Sequence, residues 1–311
     1  MAKPIEYNAT LEQRIDLTDA LAIFKLRPDE PLAGDPMFVP GQYMTLGLNN
    51  EQVPELGSVR RPMSIASAPQ DRDHLEFYIR YVNYPESDNP LTHLLWRAKN
   101  GDRIYLRPKA VGKFTVAHTV GDDDPRMRVC VAAGTGLAPF LSMVRADHRA
   151  DPTADLGRWG ILHGASYPAD LGYRDELEGL RGHGLRYGAT VSRPKEAPDW
   201  TGDTGRAEDY FLPERLAATE DLLGLETGGL TPDRAVVYIC GLQGTIGRII
   251  ERLVARGYVP ENRKLRRAFE LDDSVPPTLF FEQYDSTPVI EIDNPSVMGP
   301  LRQQLHDALA G

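Results

Sequence analysis

Cysteine is nearly absent from this chain: Cys130 and Cys240 are the only two in 311 residues, and each lies in an apolar stretch. Two distant thiols of this kind exclude a disulfide framework and suit a reducing compartment. With seven histidines that show no paired spacing, they also leave no zinc or iron–sulfur ligand set. Long apolar runs are lacking as well, and Met1-Ala2-Lys3-Pro4-Ile5-Glu6 opens no signal-peptide pattern, so a cytoplasmic protein with no membrane partner is expected. Positive charge is in deficit, with 35 Lys and Arg against 45 Asp and Glu. The resulting formal charge of -10 argues against a nucleic-acid partner, while leaving room for a local basic patch. No internal repeat or low-complexity tract is present.

What the chain does have is two kinds of periodicity. The first third alternates in short segments at residues 40–46, 75–82 and 102–107, with turn residues between them. This predicts a small antiparallel β-barrel, interrupted by one helix over residues 90–99. The acidic Gly121-Asp122-Asp123-Asp124-Pro125 stretch reads as a linker. From residue 128 onward, apolar strands at 129–133, 159–163, 187–191 and 235–240 alternate with helices at 139–148, 173–180 and 245–256. That pattern predicts a second domain of α/β type, a doubly wound parallel sheet with helices on both faces.

Three stretches carry chemistry. In the first, an apolar strand runs into Gly134-Thr135-Gly136 and a helix follows at once. Such a corner offers unpaired N–H groups and a positive dipole end to a phosphate, although a tight structural turn would read the same way. Next, Arg60-Arg61-Pro62-Met63-Ser64-Ile65-Ala66-Ser67 combines arginines with two hydroxyls and reads either as a phosphate and ring-nitrogen site or as a basic turn. The third stretch is Cys240-Gly241, at a strand end where ligands of parallel sheets bind.

In this order, Arg61-Pro62-Met63-Ser64, Gly134-Thr135-Gly136-Leu137-Ala138-Pro139 and Cys240-Gly241 make the chain similar to the ferredoxin-NADP reductase family of flavoproteins over residues 40–284. That family carries an Arg-x-Tyr-Ser flavin motif, a Gly-Thr-Gly-x-Ala-Pro nicotinamide-nucleotide turn and a Cys-Gly pair beside the nicotinamide. The resemblance implies an FAD-binding barrel at residues 1–120, a linker at 121–127, an NADP-binding domain at 128–284 and a C-terminal extension at 285–311. FAD would be held by Arg61, Pro62, Met63, Ser64 and Thr92. NADP(H) would be held by Gly134, Thr135, Gly136, Cys240 and Gly241, with Ser192, Arg193 and Arg206 seating the 2′-phosphate. Ser64, Cys240, Glu282 and Tyr284 would surround the reacting atoms, Tyr284 covering the flavin face on which nicotinamide lands.

The implied activity is electron exchange between NADP(H) and a small redox protein, ferredoxin or flavodoxin, by hydride transfer between nicotinamide C4 and flavin N5. Supply of an oxygenase ferredoxin, a free flavin or quinone acceptor, and a flavin- or nucleotide-binding regulatory module stay open beside it. Arg60 and Arg61, with Arg263, Lys264, Arg266 and Arg267, are candidates for meeting an acidic partner. Three departures from the family stand out. Met63 replaces the flavin-stacking tyrosine, leaving Tyr43 and Tyr81 as candidate replacements, and Asn89 replaces a glycine before Thr92. The chain also continues past Tyr284, with a helix predicted over residues 297–310 and a role as a structural cover or as a homodimer contact.

Overall fold

The alternating segments of the first third form six antiparallel strands in the structure, a computed structural model that describes residues 4–310. They are β1 (Ala9–Thr18), β2 (Leu21–Pro28), β3 (Tyr43–Asn49), β4 (Ser58–Ser64), β5 (Leu75–Arg80) and β6 (Arg103–Leu106). Their order is β4-β3-β6-β1-β2-β5, and a bridge between Ile65 and Phe77 joins the two outer strands, closing the sheet into a barrel. Side chains of period two fill it: Leu11, Phe24, Leu26, Met44, Leu46 and Phe77 are all fully buried. Helix α1 (Leu91–Arg97) adds Leu91 and Leu95 to this core, and the single turn α2 (Val116–Thr119) follows.

The second unit begins with β7 (Met127–Ala133) and α3 (Leu137–Ala150), then β8 (Trp159–Ala165), α4 (Arg174–Leu180), β9 (Arg186–Val191) and β10 (Asp203–Thr204). It continues through α5 (Pro213–Leu222), β11 (Ala235–Gly241), α6 (Gln243–Val254), α7 (Arg263–Ala268), β12 (Leu279–Gln283) and α8 (Pro295–Ala310). All six strands are parallel, in the order β10-β9-β8-β7-β11-β12. The order reverses direction between β7 and β11, so the crevice at their carboxyl ends is the topological switch point where such sheets bind ligands. Sequence periodicity misses β10, which has two residues, and α5, whose buried side chains are the polar Thr219 and Glu220.

The two units divide at Asp122 and Asp123, but residues 138–152, which are most of α3, cluster with the barrel rather than with the sheet. This differs from the sequence expectation of a single domain over 128–284, and polar bonds explain it. Ser142 Oγ donates to the Ser67 carbonyl at 2.8 Å, and Arg145 reaches the Ala66 carbonyl at 3.0 Å and Glu76 at 2.6 Å. Arg149 pairs with Asp71 at 2.9 Å. In the sheet unit, α8 buries Met298, Leu301 and Leu305 in the same core as Ile246 and Ile250 of α6. Arg302 and His306 bond the carbonyls of Ala268 and Phe269 just beyond it.

Candidate functional site

The chain leaves β7 through one 3-10 turn, Gly134–Gly136, and enters α3 at Leu137. Its two glycines exist for different reasons. Gly134 has φ +56°, in the left-handed region, and a Cβ added there would meet nothing within 4 Å. A Cβ on Gly136 would lie 2.0 Å from the Cys240 carbonyl oxygen, so close approach to β11 requires glycine. Beneath the turn, the fully buried His163 of β8 sits beside Ala132 in the sheet register. Burial pushes its pKa down to about 4, only partly offset by hydrogen bonding to the Gly134 backbone, so the imidazole is neutral.

Across the switch point, the β11–β12 register sets Cys240 against Glu282 and Gly241 against Gln283. Cys240 is fully buried, and burial first, then the Glu282 carboxylate, hold its thiol well above the ordinary thiol range. It is therefore an uncharged packing group rather than a nucleophile. Tyr284 is 45% exposed; its N–H donates to the Gly241 carbonyl at 3.3 Å and its hydroxyl to the Thr135 carbonyl at 3.0 Å. The structure thus brings Thr135, Cys240, Gly241, Glu282 and Tyr284 together. Beyond Tyr284, Asp285 accepts from the N–H of Gln243, the first residue of α6, and from that of Thr287. The extension then passes so close to α6 that a Cβ on Gly247 would lie 2.2 Å from the Val289 carbonyl oxygen.

Ser192 and Arg193 follow β9, and Arg206 follows β10. Because Thr204 pairs with Val191 and the Gly205 N–H donates to the Val191 carbonyl at 2.9 Å, both arginines leave the same end of neighbouring strands. All three residues are exposed. Arg193 donates to the Tyr167 hydroxyl at 2.7 Å, with its guanidinium carbon 5.4 Å from the ring centroid, and Tyr167 donates to Glu196 at 2.8 Å. Tyr167 and His163 escaped sequence reasoning. Only the pairing of β8 with its neighbours brings them to Arg193 and Gly134, and a β-strand histidine or loop tyrosine carries no signal of that.

In the barrel, Arg61 and Pro62 are exposed, Met63 is half-buried and Ser64 is buried. Strand β4 pairs with β3 along its length, and among the described residues its other edge has no strand partner until the Ile65–Phe77 bridge. Arg61 forms no ion pair among the described residues; its guanidinium donates to the Arg60 carbonyl at 2.9 Å. Thr92, in the first turn of α1, accepts from the Val82 N–H at 3.3 Å. Asn89 stands in place of glycine with its side chain bonded to Asn50 at 2.9 Å and to the Leu56 carbonyl at 3.2 Å, so it anchors the loop before α1. Of the two tyrosines near Met63 in the sequence argument, Tyr43 lies opposite Ser64 in the register, whereas Tyr81 is stacked on His93 with centroids 4.4 Å apart.

A barrel followed by a doubly wound sheet with a glycine turn at its switch point defines a nucleotide-dependent oxidoreductase. The family model described as an oxidoreductase NAD-binding domain matches residues 130–249, from β7 into α6. Ferredoxin-NADP reductase B of Sorangium cellulosum is 35% identical over 231 residues, which are 73% of this chain and 83% of the relative. A flavodoxin/ferredoxin-NADP reductase of Rhodobacter capsulatus is 30% identical over 230 residues, 72% of this chain and 76% of that protein. The crystal structure of a ferredoxin NADP+ reductase from Neisseria gonorrhoeae with bound FAD and NADP shares the fold, with a TM-score of 0.68 at 22% identity over 89% of this chain and 97% of that one. The chain belongs to the ferredoxin-NADP reductase family of NAD(P)-dependent flavoprotein reductases.

Proposed function

We propose that the protein exchanges electrons between NADP(H) and a small redox protein, ferredoxin or flavodoxin, with FAD as its cofactor. The observation that carries this reading is the convergence of the glycine turn, the buried Cys240 thiol and Tyr284 at the switch point. The residues present fit both nucleotides. An unpaired arginine, a buried hydroxyl and an open strand edge suit a flavin with its pyrophosphate, while the space over Gly134 at the start of α3 suits the pyrophosphate of NADP(H).

When bound, the flavin supplies the interchange between hydride transfer with nicotinamide C4 at its N5 and single-electron transfer with the partner. The protein's part is alignment and electrostatics. Ser64 offers a hydroxyl near N5, Arg61 and Thr92 hold the pyrophosphate, and the neutral Cys240 packs beside the nicotinamide without competing for hydride. Glu282 maintains the polar surroundings of Cys240. Tyr284 gives up its bond to Thr135 when the turn takes the nicotinamide nucleotide. Ser192 ends β9 where a carboxylate would hold the ribose diol of NAD, and with Arg193 and Arg206 it favours the 2′-phosphate instead. For an acidic partner each unit offers exposed cations, Arg60 and Arg61 in one and Arg263, Lys264 and Arg267 in the other. Arg266 is turned away from that role, since its guanidinium holds the carbonyls of Asp272 and Val275.

Anaerobic titration of the purified protein with NADPH and NADH, following flavin absorbance, tests cofactor, competence and preference together. The expected result is a yellow protein bleached by NADPH at lower concentration than by NADH, with cytochrome c reduction that depends on added ferredoxin or flavodoxin. Turnover without a protein partner would point to a free flavin or quinone acceptor instead. A colourless protein that takes up no FAD would overturn the proposal.

A further inference from the structure

We infer that Tyr167 is a positioning residue for coenzyme selection, its hydroxyl holding the Arg193 guanidinium in place to receive the 2′-phosphate of NADP(H). The inference rests on the reading of Arg193 given above. Arg193 follows β9 on an exposed segment, where an arginine side chain samples many rotamers and loses that freedom when it grips an anion. Tyr167 removes much of the loss in advance. One guanidinium nitrogen donates to its hydroxyl at 2.7 Å and the planar cation stands over its ring, which leaves other N–H donors of the fork for a phosphate.

The orientation of the hydroxyl is set from the other side. Its proton goes to Glu196 at 2.8 Å, so the oxygen presents lone pairs to Arg193. Tyr167 is itself anchored: it precedes the 3-10 turn Pro168–Asp170, and its carbonyl accepts from the Asp170 N–H at 3.0 Å. Backbone bonds fix its distance from Arg193. The N–H of Ser192 donates to the Ala165 carbonyl at 3.0 Å and that of Arg193 to the Ser166 carbonyl at 3.1 Å, prolonging the parallel β8–β9 register past the ends of the strands. Ring, hydroxyl and carboxylate therefore form a rigid seat for a single cation. NADH carries no 2′-phosphate, so loosening that seat should cost NADPH alone.

The test compares Tyr167→Phe and Arg193→Gln with the wild type in the holoprotein. Calorimetric binding of 2′,5′-ADP and of 5′-AMP gives a readout independent of turnover, and KM and kcat are measured for NADPH and NADH. Phenylalanine keeps the ring and deletes only the hydroxyl. For Tyr167→Phe we expect 2′,5′-ADP to bind about three- to tenfold more weakly, with 5′-AMP unchanged, and the KM for NADPH to rise by a similar factor at constant kcat. Arg193→Gln should lose roughly tenfold or more toward 2′,5′-ADP. Loss in Arg193→Gln with none in Tyr167→Phe would overturn the positioning role while leaving the Arg193 reading intact. No loss in Arg193→Gln would instead sink the reading of Arg193, and the inference with it.

Discussion

At the exit of β7 the backbone is fixed by packing, because Gly136 stands where any side chain would strike the Cys240 carbonyl. At β4 the corresponding residues are side chains on an open strand edge, with Arg61 and Pro62 exposed and no neighbouring strand to hold them. The turn is thus shaped before a ligand arrives, and a nucleotide binding there meets little ordering cost. The barrel edge presents groups that a ligand must still order, which makes it the half whose affinity depends most on individual side chains. Between these extremes, the Ala66–Ser67 segment just after β4 is held by Ser142 and Arg145 of α3.

The comparison can be broken most severely at that fastening. Arg145→Ala takes from the buried Glu76 carboxylate its 2.6 Å ion pair and from Ala66 a carbonyl partner, at an expected cost of roughly 2–4 kcal/mol. Native-state hydrogen exchange should show the loss in barrel amides; protection unchanged in β4 and β5 would mean that α3 does not hold the barrel edge. A comparable effect is expected in the sheet unit through pH. His163 has its pKa lowered from 6.5 to about 4, so the stability it contributes is whole above pH 6.5. As pH falls toward 4 the unfolded chain takes up the proton and the folded chain does not, removing about 3 kcal/mol. Denaturation at several pH values should therefore show a shallower acid loss in His163→Gln than in the wild type.

Smaller effects separate the two halves. Gly136→Ala should destabilise the sheet unit by roughly 1–3 kcal/mol through overpacking against β11, seen as a lowered Tm. Arg61→Ala should leave the Tm of the apoprotein unchanged while weakening FAD binding about tenfold, as measured by fluorescence titration. Smallest is Gly134→Ala, where space is open and only the left-handed backbone resists, at about 1 kcal/mol. Equal penalties at Gly134 and Gly136 would erase the distinction between a glycine kept for conformation and one kept for contact.

Much of the architecture was legible because it is periodic and local. Alternation over residues 75–82 announced β5, and the apolar stretches at 129–133 and 235–240 announced β7 and β11. The candidate site was legible where short motifs sit at strand ends, as at Gly134-Thr135-Gly136 and Cys240-Gly241. It was not legible where a role depends on a distant neighbour. Nothing around Tyr167 points to Arg193, 26 positions away, and the run of cations at 263–267 conceals that Arg266 serves the loop carbonyls of its own unit.

The sequence by itself determined the order of a barrel and a parallel sheet, the glycine corner at a helix start and the scarcity of thiols. These depend on residue type and spacing along one segment. The tertiary structure decided why Gly136 must be glycine, which unit α3 joins, how α8 enters the core of the sheet unit and what steadies Arg193. Each of these is a contact between segments far apart in the chain, fixed by strand register and packing, and spacing along the sequence carries no record of either.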